Sequence, residues 1–207
     1  MNNKVLLIKT WNTINYPQKK IGSAEIKIIS YPSGIYHMQG VNGYKYFEVL
    51  NKIRVTTLKI NGKTVMVDDP LHWYGMEGLA RNSHGKVLVA GLGLGLIVHH
   101  LINYPAVSKI DVYEINKEVI ELIIPLLPKD KRINIINDDF FKEPFKKKHY
   151  DTIILDLWVG KNNDFKICGT NEKVPIFSYY ARVKANYPNS KVFVWGVKIL
   201  EMNPSIG

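Results

Sequence analysis

The sequence predicts an α/β protein, a parallel sheet flanked by helices and preceded by a small antiparallel β subdomain, within 207 residues. Three observations carry that expectation. From residue 86 onward, short apolar runs alternate with helically spaced segments, the pattern of parallel strands joined by right-handed crossovers. Before residue 68 the chain shows β-branched runs, two of which (54–60 and 63–67) flank Asn61-Gly62. That dipeptide suits a two-residue hairpin because both turn positions need positive φ. The third is Lys86-Val87-Leu88-Val89-Ala90-Gly91-Leu92-Gly93-Leu94-Gly95-Leu96, which reads as buried strand, glycine turn and helix start in direct succession.

Taken in order, residues 1–67 form the β-hairpin subdomain and 68–207 the larger α/β part. Residues 24–30 alternate partly, and Val41-Asn42-Gly43-Tyr44 resembles a second turn. Residues 70–81 read as a helix, capped by Asp68 or Asp69 with Pro70 in its first turn. That helix either joins the two parts by packing or also turns His72, Trp73 and Tyr74 toward a ligand cleft. Strands are expected at 86–90, 109–114, 133–137, 150–157 and 191–197, with helices near 94–104, 117–127 and 174–186. Residues 142–149, with Lys146-Lys147-Lys148, read as a solvated loop. The polar stretch 162–173 follows the carboxyl end of a strand, where substrate loops belong.

The glycine turn and three acids mark a ligand edge. Glycines admit unusual backbone angles and let a ligand approach closely. The helix start then offers unpaired N–H groups. The pattern is Gly91-x-Gly93-x-Gly95, with Leu96 where a dinucleotide fingerprint has glycine. Glu114 ends the second strand at the spacing of an acid that accepts from two ribose hydroxyls; the alternative is a tight turn beside a solvated acid. Asp138 and Asp139 follow the third strand, as ligand contacts or as the cap of a short helix. Asp156 ends the fourth, whose Ile153-Ile154-Leu155 core is apolar on both faces and therefore central. A bond to a neighbouring lysine or a capping role is the alternative for Asp156.

Composition sets the wider limits. Apolar residues make up 46% and charged residues 22%, which are globular values. No apolar run approaches the ~20 residues of a membrane span. The apolar part of the N-terminus is too short for a signal peptide. A single cysteine, Cys168, cannot form an internal disulfide, and a reducing, cytoplasmic setting is expected. The net charge of +10 draws nucleic acid or other anionic partners, or else reflects a lysine-rich genome composition. No metal site is expected.

Val87 to Gly95, Asp111-Val112-Tyr113-Glu114-Ile115-Asn116, Asn137-Asp138 and Tyr150-Asp151-Thr152-Ile153-Ile154-Leu155-Asp156 together resemble the class I S-adenosylmethionine-dependent methyltransferase superfamily. Within it they are most similar to the spermidine synthase branch, and the chain also looks like small phage and prokaryotic methyltransferase-like proteins. The resemblance implies a Rossmann-like sheet, here shortened at its C-terminal end. It implies that Gly91, Gly93 and Gly95 pass the methionine part of S-adenosylmethionine, that Glu114 holds the ribose, and that Asp138 meets the adenine with Phe140 near its ring. Asp156 would face the sulfonium and the nucleophile, with His72 and Tyr74 as further catalytic candidates. The departures are specific. Aminopropyltransferases carry a Tyr-His-Glu stretch before the glycine loop, where this chain has His72-Trp73-Tyr74-Gly75-Met76, and a second aspartate after the catalytic one, where it has Leu157-Trp158-Val159-Gly160. The Pro-Pro-aromatic motif of base methyltransferases and the Pro-Cys pair of cytosine enzymes are also missing, since Cys168 follows Ile167. The functional expectation is therefore a methyltransferase of unassigned acceptor. Aminopropyl transfer from decarboxylated S-adenosylmethionine comes second, and a non-catalytic cofactor- or nucleic-acid-binding scaffold third. A sheet ending at its fifth strand leaves an edge that a second subunit would cover.

Overall fold

The computed structural model describes residues 4–38, 43–142, 149–161, 164–167, 173 and 176–195. Seven strands come first: β1 (Val5–Ile8), β2 (Lys19–Ile21), β3 (Ala24–Tyr31), β4 (Gly34–His37), β5 (Tyr46–Val49), β6 (Ile53–Ile60) and β7 (Lys63–Asp68). β2, β3, β6 and β7 form a four-stranded antiparallel sheet in that order. Asn61 (φ 51°) and Gly62 (φ 76°) close the β6–β7 hairpin, as the dipeptide predicts. β5 sits between β1 and β4 in a separate three-stranded sheet, and its pairing with β1 is parallel. That parallel pair has no signal in the sequence, because its partners are joined by no local turn. The second expected turn, at 41–44, falls partly outside the described residues.

Helix α1 (Pro70–Arg81) follows. Asp69, not Asp68, is its N-cap, accepting from the His72 amide at 3.0 Å, and Pro70 occupies the first turn. The chain then alternates: β8 (Gly85–Ala90), α2 (Leu96–Leu101), β9 (Val107–Tyr113), α3 (Lys117–Ile123), β10 (Ile133–Ile136), β11 (Thr152–Leu155), a hairpin of β12 (Trp158–Lys161) and β13 (Asp164–Ile167), α4 (Ile176–Asn186) and β14 (Lys191–Val194). Strands β10-β9-β8-β11-β14 make one five-stranded sheet, parallel throughout.

Several elements are shorter than expected, for local reasons. α2 spans six residues, because residues 91–95 belong to the loop and Gly95 caps the helix in a left-handed conformation. α3 spans seven and gives way to a 3₁₀ turn at 124–126, where Pro125 has no N–H to continue the ladder. The β12–β13 hairpin occupies part of the stretch expected as loop. Cys168, Gly169, the lysine run 146–148 and residues 196–197 lie outside the described residues.

β8 and β11 occupy the middle of the sheet. Val87, Leu88, Val89 and Ala90 of β8 are fully buried, as are Thr152 through Leu155 of β11. One apolar cluster fills the side facing α1, α2 and α3; the other, with Tyr113, Phe140, Tyr150 and Val183, fills the side facing α4. The carboxyl ends of β8 and β11 are thus held rigidly from both faces, and the candidate site sits on them.

Candidate active site

The loop after β8 is built around contacts with its own chain. Gly91 has φ 98°, and a Cβ there would run into the carbonyl oxygen of Asp156. A Cβ at Gly93 would meet the Met66 thioether, and one at Gly95 would come within 2.7 Å of Leu127 Cδ2. A side chain at any of the three positions would therefore collide with the protein's own atoms. The loop amides are similarly engaged. The Leu92 amide donates to Glu114 Oε2 at 3.0 Å and the Leu94 amide to Met66 Sδ at 3.1 Å.

Glu114 directly follows β9, and its own amide donates to the Ile136 carbonyl at 3.0 Å. Its second carboxylate oxygen accepts from the Asn116 amide at 2.9 Å. Burial raises its pKa against the pull of those amides. Beside it, Ile115 is 64% exposed, an apolar side chain projecting from the same edge.

Asp156 is one residue past β11, with its amide donating to the Ala90 carbonyl at 2.9 Å. It is partly open to solvent, yet loss of hydration pushes its carboxyl up to about 7; His72 pulls it down and Glu114 pushes it further up. His72 Nδ1 lies 2.8 Å from Asp69 Oδ1. Burial alone would lower the imidazole's pKa, but the Asp69 hydrogen bond and charge, with Asp156 and Asp68 adding to them, raise it. The Trp195 ring lies 5.5 Å from the His72 ring, and the Trp195 amide donates to the Leu155 carbonyl at 2.9 Å. Trp195 also fills the notch left by Gly75, where a Cβ would strike the indole.

The structure thus gathers Asp156, His72 and Glu114 at one edge together with the glycine loop. Tyr74 is directed elsewhere: its ring lies 6.3 Å from Trp11, in the cluster under the N-terminal strands. Trp73 turns to His100, at 4.4 Å between rings. Asp138 is exposed past the end of β10 and its Oδ1 accepts from the Asp139 amide at 2.7 Å; Asp139 accepts from the Phe141 amide at 2.9 Å in the turn that follows. Phe140 is 4% exposed and packs edge-on against Tyr113 and Phe141, inside the core. Ile115, Trp195 and Asp69 are not singled out by sequence reasoning as site residues. Only Ile115 carries a signal, as the apolar residue after a strand-end acid. Among the described residues no group of three His, Cys, Asp or Glu is placed to hold a metal ion, and no helix is long and apolar enough to cross a membrane.

Asp69 ties these parts together, since it caps α1, holds His72 and accepts from the Tyr31 hydroxyl at 2.9 Å. Asp69→Ala is expected to cost about 2 kcal/mol from the lost cap and stranded partners. Urea unfolding reads that loss, and titration of the His72 ring by NMR should show a lower pKa than in the parent, because the raising partner is gone.

A parallel sheet with a glycine turn after its first strand and an acid ending its second is a Rossmann-like sheet. Residues 74–166 match the family model of the spermine/spermidine synthase domain, in keeping with the resemblance to that branch. A polyamine aminopropyltransferase of Clostridium botulinum is 38% identical over 78 residues, covering 34% of this chain and 28% of that protein. Putrescine N-methyltransferase 2 of Nicotiana attenuata is 30% identical over 79 residues, covering 34% of this chain and 21% of the relative. The chain thus aligns with less than a third of the length of either curated relative. The spermidine synthase structure from Thermotoga maritima, 23% identical, covers 51% of this chain and 44% of its own at a TM-score of 0.42.

Proposed function

We propose that this chain is a transferase that moves an alkyl group from the sulfonium of an S-adenosylmethionine-type nucleoside to an amine. The observation that carries the reading is the pairing of Glu114 and Asp156 on one rigid edge, with the Asp156 carboxyl near neutrality. Aminopropyl transfer from decarboxylated S-adenosylmethionine now takes precedence over the methyl transfer weighted first on sequence grounds. The matched family model and the aminopropyltransferase relative favour it. The putrescine N-methyltransferase relative keeps methyl transfer as the second reading, and both relatives are named for amines. Neither the family model nor these relatives point to nucleic acid.

The residues suit such a donor. Glu114, anchored by two backbone amides, retains lone pairs for ribose hydroxyls, and Ile115 offers an apolar face beside it. The donor supplies a carbon made electrophilic by the adjacent sulfonium. Asp156 accepts the proton that the amine loses as its lone pair forms the new C–N bond, and the C–S bonding pair leaves on the thioether. A carboxyl near 7 is poised for that exchange. Asp69, Glu114 and Asp156 favour a cation at this edge despite the net positive chain, with His72 held by the first of them. In this reading residues 1–67 form a subdomain that braces the edge, and 68–207 bind the donor.

The test is product analysis with putrescine or spermidine and each donor in turn. Methylthioadenosine release from the decarboxylated donor supports aminopropyl transfer, and a methylated amine from S-adenosylmethionine supports the second reading. Formation of neither product sinks both. Glu114→Ala is expected to weaken donor binding by about 1–3 kcal/mol, roughly fivefold to 150-fold in calorimetry.

A further inference from the structure

Asp156 shares its end of the sheet with an indole. Leu155 of β11 pairs with Val194 of β14, and both belong to the apolar cluster on the α4 side. The next residue on each strand, Asp156 and Trp195, therefore faces the opposite side, toward α1. Trp195 packs against the cluster on that side, and its amide extends the ladder to the Leu155 carbonyl. From α1, His72 brings its ring to 5.5 Å from the indole, and its charge acts on the Asp156 carboxyl. Asp156, His72 and Trp195 each keep part of their surface in solvent. They form one accessible corner made of a carboxylate, an imidazole and an indole.

Only one anion in this corner is left for an acceptor. Asp69 accepts from the His72 ring, the His72 amide and the Tyr31 hydroxyl, and Asp68 accepts from the Thr13 hydroxyl. Glu114 is anchored to the Leu92 and Asn116 amides and faces the proposed donor. Asp156 remains: lost hydration and the charges of His72 and Glu114 act on it, and among the described residues no hydrogen bond reaches its carboxyl. His72 cannot replace a second carboxylate. Asp69 raises its pKa, so the imidazole takes positive charge more readily than an ordinary histidine. The indole is fixed in place, since its edge fills the notch at Gly75. An ammonium beyond the first would meet an aromatic edge and a like charge.

We infer that the acceptor is a monoamine with an apolar body, its nitrogen at Asp156 and its carbon chain against Trp195, and that Trp195 sets this specificity. The inference rests on the amine-transferase reading and narrows its substrate class. An indole offers a large apolar surface to methylenes and no anion to a second ammonium.

Pentylamine is putrescine with one terminal nitrogen replaced by a methyl group, so the two acceptors isolate that second charge. Steady-state rates on the full chain compare them, with decarboxylated S-adenosylmethionine and then S-adenosylmethionine as donor. With the donor that reacts, putrescine is expected to be used, but pentylamine should exceed it in kcat/KM by about tenfold or more. Trp195→Ala should lower that ratio about tenfold, mainly through a higher KM for pentylamine, while Trp195→Phe, which keeps an aromatic face, should retain most of it. Gly75→Ala pushes the indole from its notch without removing it and should move the ratio the same way, which keeps the test decisive if Trp195→Ala unfolds. Donor affinity by calorimetry should match the parent in each folded variant. The inference is overturned if putrescine reacts as well as pentylamine, or if the ratio stays unchanged in the folded variants at 195 and 75. In either case transfer to an amine leaves the transferase reading standing; transfer to neither amine removes both.

Discussion

Asp156→Asn is expected to lower turnover by about a hundredfold or more while leaving the chain folded. The substitution keeps the size and removes the proton acceptor at the end of the central strand. Its backbone contact, the amide donating to Ala90, does not depend on the side chain. The same variant makes an opposite prediction for stability. A carboxyl held up to about 7 in the folded chain against an ordinary 3.8 binds its proton more tightly when folded. The parent therefore loses stability as pH rises between those two values, and the asparagine variant escapes that loss. Parent and variant should unfold alike near pH 4, and the variant should be the more stable above pH 7, by at most about 4 kcal/mol. Steady-state rates and urea midpoints across that range check both halves. A variant that is slower but equally stable at every pH would place the raised carboxyl elsewhere, and one with unchanged turnover would move the chemistry to another group.

Gly91→Ala should be the most damaging single methyl group in the loop. Positive φ already costs an alanine about 1 kcal/mol or more, and here the new Cβ meets a backbone oxygen that cannot rotate away. The expected loss is about 3 kcal/mol in urea unfolding. Because the obstructing atom is the Asp156 carbonyl oxygen, the remaining folded protein should also be impaired in turnover. Gly62→Ala is the control. It shares the positive φ but has open space around the new methyl group, so it should cost only about 1 kcal/mol and leave turnover intact.

What the sequence makes legible follows from how local each signal is. The Asn61-Gly62 hairpin, the Asp69–Pro70 helix start and the β8 strand with its glycine turn each depend on neighbours in the chain, and each is where periodicity and turn chemistry place it. Glu114 and Asp156 are legible because strand ends in a parallel sheet share one edge, so that position along a strand stands in for position in space. Asp69 as the partner of His72 is not legible as a site feature, because its capping role already explains it. Trp195 is hidden for a different reason: its place against His72 and Gly75 depends on β14 lying next to β11, a pairing no short stretch encodes. Tyr74 is a different case. Two residues on from His72, it lies on the other side of the helix from the His72 face, and it packs toward Trp11.

The thioether of Met66 belongs to β7, yet it receives the Leu94 amide and fills the space beside Gly93. A strand of the antiparallel sheet is thus a structural part of the glycine loop. In hydrogen-exchange terms, the Leu94 amide can open only when that contact breaks, so its exchange should track the loosening of β7 rather than the fluctuations of an isolated loop. Loop and antiparallel sheet would then open as one cooperative unit, and protection of Leu94 would be present before any ligand binds.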